Sequence, residues 1–181
     1  MALEIEIKVL LTSEQYQRLL SLFHQEAIAV GFEEQETHYF DCPQDLRIQK
    51  SSNGAKICLK KGKIHDEARE ELEIPVSQEY FPSLEKLLAA LGYAVKVKWF
   101  RKRYTFEWQG IKVMLDDTKG YGQILELEQV IESRVGKEVE SEVLHLLHEK
   151  LANLQLKATP REVFDERYHY YINHWRELIG E

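Results

Sequence analysis

The chain has 181 residues, 44% hydrophobic and 30% charged, which is a soluble globular composition long enough for one domain, taken as 1–181, with a sizeable core. No apolar run approaches the length of a membrane-spanning helix. Met1 to Lys8 is acidic from the start, unlike a secretory leader, so the expected location is cytoplasmic. The net charge of −7, from 24 basic and 31 acidic residues, argues against nucleic-acid binding but leaves room for a basic pocket that takes a small anion.

Leu3 to Leu10 alternates, with Glu4, Glu6 and Lys8 on one face and Ile5, Ile7 and Val9 on the other, which is a strand pattern. Thr12 or Ser13 then caps a helix carrying Tyr16, Leu19, Leu20 and Phe23 at helical spacing. Residues 27–41 read as extended. Leu46 to Gln49 is a short strand, Ser51 to Gly54 a hairpin turn, and Ala55 to Lys60 the returning strand. Lys61 to Asp66 is a polar loop. Arg69 to Val76 alternates again, and a helix runs from Ser77 or Gln78 to about Leu91, closed by Gly92, with Pro82 in its first turn. Val95 to Trp108 and Ile111 to Asp117 form a hairpin turning at Gln109-Gly110. Lys119 to Gly122 is a turn, and Gln123 to Glu132 is the last strand. From Lys137 the pattern is helical. Pro160 is expected in the first turn of a final helix capped by Thr159, with Val163, Phe164, Tyr168, Tyr171 and Trp175 as its apolar stripe. The pattern gives about eight strands and about four helices.

Cys42 and Cys58 form neither a disulfide framework nor a zinc spacing and are expected as free thiols. The polar faces of the strands are unusually ionised. Arg69, Glu71 and Glu73 share one face, as do Arg101, Arg103, Thr105 and Glu107. Lys112, Met114 and Asp116 share another, and Glu126 and Glu128 close the series. A solvated outer face explains any one strand. Recurrence in strand after strand points instead to a sheet closed on itself with charges inside and apolar residues outside, beneath helices. Carboxylates suit hard divalent cations, and Arg and Lys suit phosphate oxygens, so a metal–polyphosphate complex uses both sets at once.

Several motifs resemble those of the CYTH family, the triphosphate tunnel metalloenzymes. Glu4-Ile5-Glu6-Ile7-Lys8 matches its E-x-E-x-K signature. Tyr39-Phe40-Asp41, Leu46-Arg47-Ile48, Leu59-Lys60, Arg69-Glu70-Glu71-Leu72-Glu73 and Arg101-Lys102-Arg103-Tyr104 follow in family order. Leu115-Asp116, Gly120, Gly122 and Leu125-Glu126-Leu127-Glu128 complete a resemblance over residues 3–130. The chain departs from the pattern at Gln49, where many members carry a second Arg, and at Lys56 and Cys58.

The resemblance implies an α+β fold: an eight-stranded antiparallel barrel over about 3–133 with flanking helices and a helical C-terminal appendage over about 137–179. Glu4, Glu6, Glu126 and Glu128 would hold Mg²⁺ or Mn²⁺, assisted by Asp116. Lys8, Arg47, Lys60, Arg101 and Arg103 would hold the phosphates, with Lys98 and Lys102 as competitors if the register slips by one. Glu4, Glu6, Lys8, Glu71 and Glu73 would serve catalysis, Glu71 and Glu73 by assisting the metal or ordering basic side chains. The implied activity is hydrolysis of inorganic triphosphate, thiamine triphosphate or a nucleoside triphosphate. Class IV adenylyl cyclase chemistry and a non-catalytic polyphosphate-binding module are the alternatives. No nucleic-acid or membrane partner is expected. The C-terminal helices pack on the barrel, cap its mouth or make a homodimer. His145 and His148, three apart, His169 and His174 read as surface positions, and His65 as a loop residue.

Overall fold

The computed structural model describes residues 2–62, 67–132 and 136–181. Eight strands close into an antiparallel barrel: β1 (Ala2–Leu11), β2 (Ile28–Phe40), β3 (Asp45–Ser51), β4 (Gly54–Lys60), β5 (Ala68–Val76), β6 (Val95–Trp108), β7 (Ile111–Thr118) and β8 (Gly122–Glu132). Around the wall they run β1-β5-β4-β3-β2-β6-β7-β8 and back to β1. The helices are α1 (Ser13–Glu26), α2 (Phe81–Ala90), α3 (Lys137–Asn153) and α4 (Arg161–Ile179). This is the α+β barrel that the alternating strands and their order imply. His65 and Asp66 of the polar loop, and the expected barrel end at 133, lie outside the described residues.

Period-two alternation turns the barrel inside out. Ile5, Ile7 and Val9 of β1 point outward and pack with Leu19 and Phe23 of α1 and Leu147 and Leu151 of α3. Each such side chain stabilises the fold by about 1.5–3 kcal/mol on burial. Thr12 caps α1 in a complete capping box with Gln15. The ionised faces are thereby left inside.

Antiparallel pairing gives the barrel two distinct ends. The β3–β4 and β6–β7 turns stand at one end, the mouth. The second turns at Gln109 (φ 50°) and Gly110 (φ 82°), both left-handed as a two-residue hairpin of this twist requires. At the other end, the floor, α4 lays Phe164, Tyr168, Tyr171, Trp175 and Ile179 against Val97, Trp99, Tyr121 and Ile124. Arg167 Nη1 donates to the Tyr121 carbonyl at 2.9 Å, and Lys119 Nζ to the Ile179 carbonyl at 2.6 Å. Gly120 (φ 75°) is required there, because a Cβ would stand 2.7 Å from Leu178 Cβ. Of the arrangements open for the C-terminal helices, α4 therefore packs on the barrel, across one end of it.

Three local expectations change. Thr159 does not cap α4; Pro160 occupies the N-cap position. β5 pairs with β1 only as far as Ile5. Beyond it Thr159 serves the exposed edge of β1, its N–H donating to the Lys8 carbonyl and its hydroxyl accepting from Leu10 N–H, both at 3.0 Å. Val163 is 42% exposed and faces away from the stripe. The helix after β5 is split, a 3₁₀ turn at Gln78–Tyr80 preceding α2, with Pro82 in the first turn of α2 where a missing N–H costs nothing.

Candidate functional site: a charged cup

A cavity of about 620 Å³ enters the barrel from the mouth. Glu4, Glu6, Lys8, Arg47, Lys60, Glu71, Glu73, Arg101, Arg103, Glu126 and Glu128 all line it. Asp116 lies behind this lining with no exposed surface. Its Oδ1 accepts from Arg103 Nε at 2.6 Å, and its Oδ2 from Arg103 Nη2 at 2.6 Å and Arg101 Nη1 at 3.0 Å. It orders the two guanidiniums as a bidentate carboxylate does. The register places Arg101 opposite Gln35 and Arg103 opposite Glu33. Lys102 points outward, 3.6 Å from Glu34.

The acidic wall comes from β1 and β8, where Glu6 stands opposite Glu128 and Lys8 opposite Glu126. Lys8 Nζ lies 2.8 Å from Glu6 Oε1 and 3.7 Å from Glu126 Oε1, while Arg103 Nη2 reaches Glu126 Oε2 at 2.6 Å. Burial pushes the Glu6 carboxyl up most strongly, but the ammonium groups of Lys8 and Lys60 together outweigh it and the pKa falls to about 2. Burial acts on Glu126 in the same way and is overcome by Arg103 and Lys8, which hold it far below the usual carboxylate range. Glu4 and Glu128, one step nearer the mouth, are raised. For Glu4, burial and the neighbouring Glu71 prevail over Lys60, 2.5 Å away. For Glu128, burial together with Glu4 and Glu126 prevails over Lys112, 2.9 Å away.

Several participants had no assigned role at the level of sequence. Asp45, whose side chain is 3% exposed, accepts from Arg47 Nε at 3.0 Å and Nη2 at 2.6 Å, and from Arg69 Nη1 at 2.8 Å. Arg69 also reaches Glu6 Oε1 at 3.4 Å. Asp45 and Arg69 thus link the Arg47 clamp to the acidic wall. Arg69 stood within the R-E-x-x-E match, and Asp45 lay two residues before Arg47 on the same face. Gln35 accepts from Arg101 Nε at 2.6 Å and donates to Glu33 at 2.8 Å. Lys56 pairs with Glu73, and Lys60 with Glu71 at 3.1 Å, so both acids order basic side chains.

The donor set suits a divalent cation. Four carboxylates from two adjacent strands offer only oxygen, and two of them are held toward their neutral form by burial and mutual repulsion that a cation would relieve. Cys58, Glu71 and Glu73 also bring ligand atoms within 4.8 Å of one another. There, however, burial first and then Glu71 push the thiol up to about 12, and Sγ donates to Glu71 Oε1 at 2.7 Å. A protonated thiol is a poor ligand for a hard cation. Cys42 and Cys58 form no disulfide. His145 pairs with Glu149 on its own helix, and His169 and His174 bond to carbonyls one turn back.

No protein with a curated description matches the chain. Among solved structures, the PH1012 protein of Pyrococcus horikoshii is 27% identical, with a TM-score of 0.68 over 85% of this chain and 91% of its own. A conserved hypothetical protein of Pyrococcus furiosus is 23% identical, with a TM-score of 0.70 over 87% and 96%. HpAC1 of Hippeastrum, a candidate adenylyl cyclase described as having a dominant triphosphatase activity, is 17% identical, with a TM-score of 0.66 over 93% and 96%. At such identities the last two show shared fold alone. The CYTH domain family profile matches residues 2–168, and with the barrel and its charged interior in view, the chain belongs to the CYTH domain family.

Proposed function

We propose that this protein is a divalent-cation-dependent triphosphatase that takes its substrate terminal phosphate first into the cup. One observation carries the reading: eight cationic side chains and seven carboxylates line a single cavity inside the barrel. The fold shared with the Hippeastrum protein is consistent with it.

Lys8, Arg47, Lys60, Arg101 and Arg103 bind the phosphoryl oxygens and stabilise charge on the transferring group and on the leaving diphosphate. Asp116 and Asp45 fix the arginines before the substrate arrives, so little reorganisation is needed at the moment of reaction. Glu4, Glu6, Glu126 and Glu128 would hold Mg²⁺ or Mn²⁺. Bound there, the ion supplies charge neutralisation and a more acidic water. Water's oxygen joins the terminal phosphorus, the bridging P–O bond breaks, and orthophosphate and a diphosphate leave.

Phosphate release from tripolyphosphate, thiamine triphosphate and ATP, measured with Mg²⁺, with Mn²⁺ and with chelator, tests this directly. Metal-dependent orthophosphate release without cyclic AMP is expected. Cyclic AMP with pyrophosphate from ATP would replace the reading with a cyclase, and binding without turnover would replace it with a binding module.

A further inference from the structure

The wall of the barrel loosens between β1 and β5 toward its inner end. β5 pairs with β1 from Ala2 to Ile5 and then leaves it, the N–H of Glu6 donating to the Glu67 carbonyl at 2.8 Å. The next stretch of the β1 edge is taken by the connector between α3 and α4, where Thr159 bonds Lys8 and Leu10. A cavity of about 330 Å³ stands in this gap. Glu6 and Lys8, which also line the cup, border it from within. Glu67, Ala158, Thr159 and Arg161 border it from the side of the connector, and Glu67 and Arg161 are exposed there. Phe164 of α4 borders both cavities.

The reaction leaves a small anion at this depth. With the terminal phosphate innermost, the diphosphate departs on the side of the mouth, and orthophosphate is formed behind it. Beyond the orthophosphate, α4 lies across the end of the barrel. The side cavity adjoins that place, and its volume is many times the roughly 30 Å³ that one water takes in the liquid. Its charges suit a passing anion. Glu6 is balanced by Lys8 at 2.8 Å and Arg69 at 3.4 Å. Glu67, the remaining acid among the described lining residues, is exposed to solvent, where its charge is screened. Arg161, 3.5 Å from Asp165 and 42% exposed, stands at the outer end. α4 begins beside it with no side chain capping its first turn, so the positive end of the helix dipole adds to Arg161.

Resting on the triphosphatase reading, we infer that the gap between β1 and the α3–α4 connector is a side passage through which orthophosphate leaves while the diphosphate is still held. Lys8 hands the ion from the clamp to the passage, and Arg161 draws it out. The order of release follows: orthophosphate departs first and the diphosphate last. Release through the mouth alone imposes the reverse order, because the diphosphate stands in the way.

The experiment takes whichever of tripolyphosphate, thiamine triphosphate and ATP the wild type hydrolyses best and reads product inhibition. The last product to leave competes with substrate for the free enzyme, and the first does not. Side release therefore makes the diphosphate product a competitive inhibitor and orthophosphate a noncompetitive one. Ala158→Phe puts a ring into the passage. It is expected to invert that pattern and to slow the appearance of free orthophosphate, followed with a fluorescent phosphate sensor, at least about tenfold. Cleavage in a chemically quenched single turnover is expected to stay at the wild-type rate. Where the ring lowers Tm, Arg161→Glu decides instead: it keeps the passage open but reverses its charge, and is expected to slow orthophosphate appearance about threefold or more with cleavage unchanged. Competitive inhibition by orthophosphate in the wild type, or release unchanged in the deciding variant, overturns the passage and leaves the triphosphatase in place. A wild type that yields no orthophosphate from any of the three substrates overturns the triphosphatase reading, and the passage falls with it.

Discussion

Glu6 and Glu126 lie one step deeper than Glu4 and Glu128 on the same two strands, and the acidities of the two pairs move in opposite directions. Burial opposes ionisation in all four. The inner pair is overcompensated by Lys8 and Arg103, while the outer pair faces fewer cations and more carboxylates. The inner acids are therefore ionised and charge-balanced before any ion arrives. Outer acids are short of positive charge, which is what a cation-binding wall needs before its ion arrives.

The hardest way to break this contrast is to remove the inner cation. Arg103→Met strips the fully buried Asp116 and the largely buried Glu126 of a shared partner. Removing one member of a buried ion pair costs about 3–5 kcal/mol, because the remaining charge is left uncompensated. A urea unfolding curve should show a loss of that order together with loss of triphosphate binding. An unchanged midpoint would mean that cations do not set the acidity of the inner pair.

Neutralising the two kinds of acid separately sharpens the same contrast. Glu126→Gln should destabilise, since it removes a favourable ionised group. Glu128→Gln should leave Tm unchanged or raise it by about 2–4 °C, because the folded state disfavours the ionised form it deletes. It should also abolish the Tm increase produced by Mg²⁺ or Mn²⁺ in the wild type. The pH dependence follows with opposite signs. Glu6, depressed to about 2, contributes stability that is present above pH 4.5 and lost as pH falls through about 2. Glu4 and Glu128, raised, contribute stability present below pH 4.5 and lost as pH rises through their folded values. Scanning Tm against pH in each variant separates them, and parallel profiles for Glu126→Gln and Glu128→Gln would end the distinction.

The barrel was legible because alternation is a property of one strand at a time: Glu4, Glu6 and Lys8 share a face whatever lies across from them. The difference between Glu4 and Glu6 was not, because it depends on which cations β4, β6 and β7 bring opposite. Asp45 was overlooked for the same reason, since its partner Arg69 arrives from two strands away. Thr159 was misread as a helix cap because a local rule ignored the unpaired edge of β1, a distant competitor for the same hydroxyl. The aromatic stripe of α4 was visible as a pattern, but its target, the barrel floor, was not.

Asp45→Asn tests the link between clamp and wall. Losing a hydrogen bond to a charged group costs about 1.5–3 kcal/mol, which corresponds to roughly a tenfold to hundredfold fall in kcat/KM. Because Asp45 holds Arg47 on one side and Arg69 on the other, the loss should appear both in KM for triphosphate and in the concentration of Mg²⁺ needed for activation. Asp45→Glu should recover part of each. A fall in Tm with neither kinetic constant moved would reduce Asp45 to a purely structural residue.

The smallest effect concerns a group that the charged interior keeps neutral. Burial and Glu71 hold the Cys58 thiol at about 12, so the reactive thiolate is scarce at any working pH. Cys42, only partly buried, should take iodoacetamide first at pH 8, and Cys58 should be labelled rapidly only in urea. Mass spectrometry of the native protein distinguishes the two sites. The raised value also carries a stability sign: Cys58 contributes fully below pH 9, the ordinary thiol value, and loses that contribution as pH rises toward about 12. Cys58→Ser should therefore flatten the alkaline fall in Tm while leaving the acid limb set by Glu6 in place. Equal labelling of both cysteines in the native state would show that the middle of the cup is more open to solvent than its carboxylate acidities require.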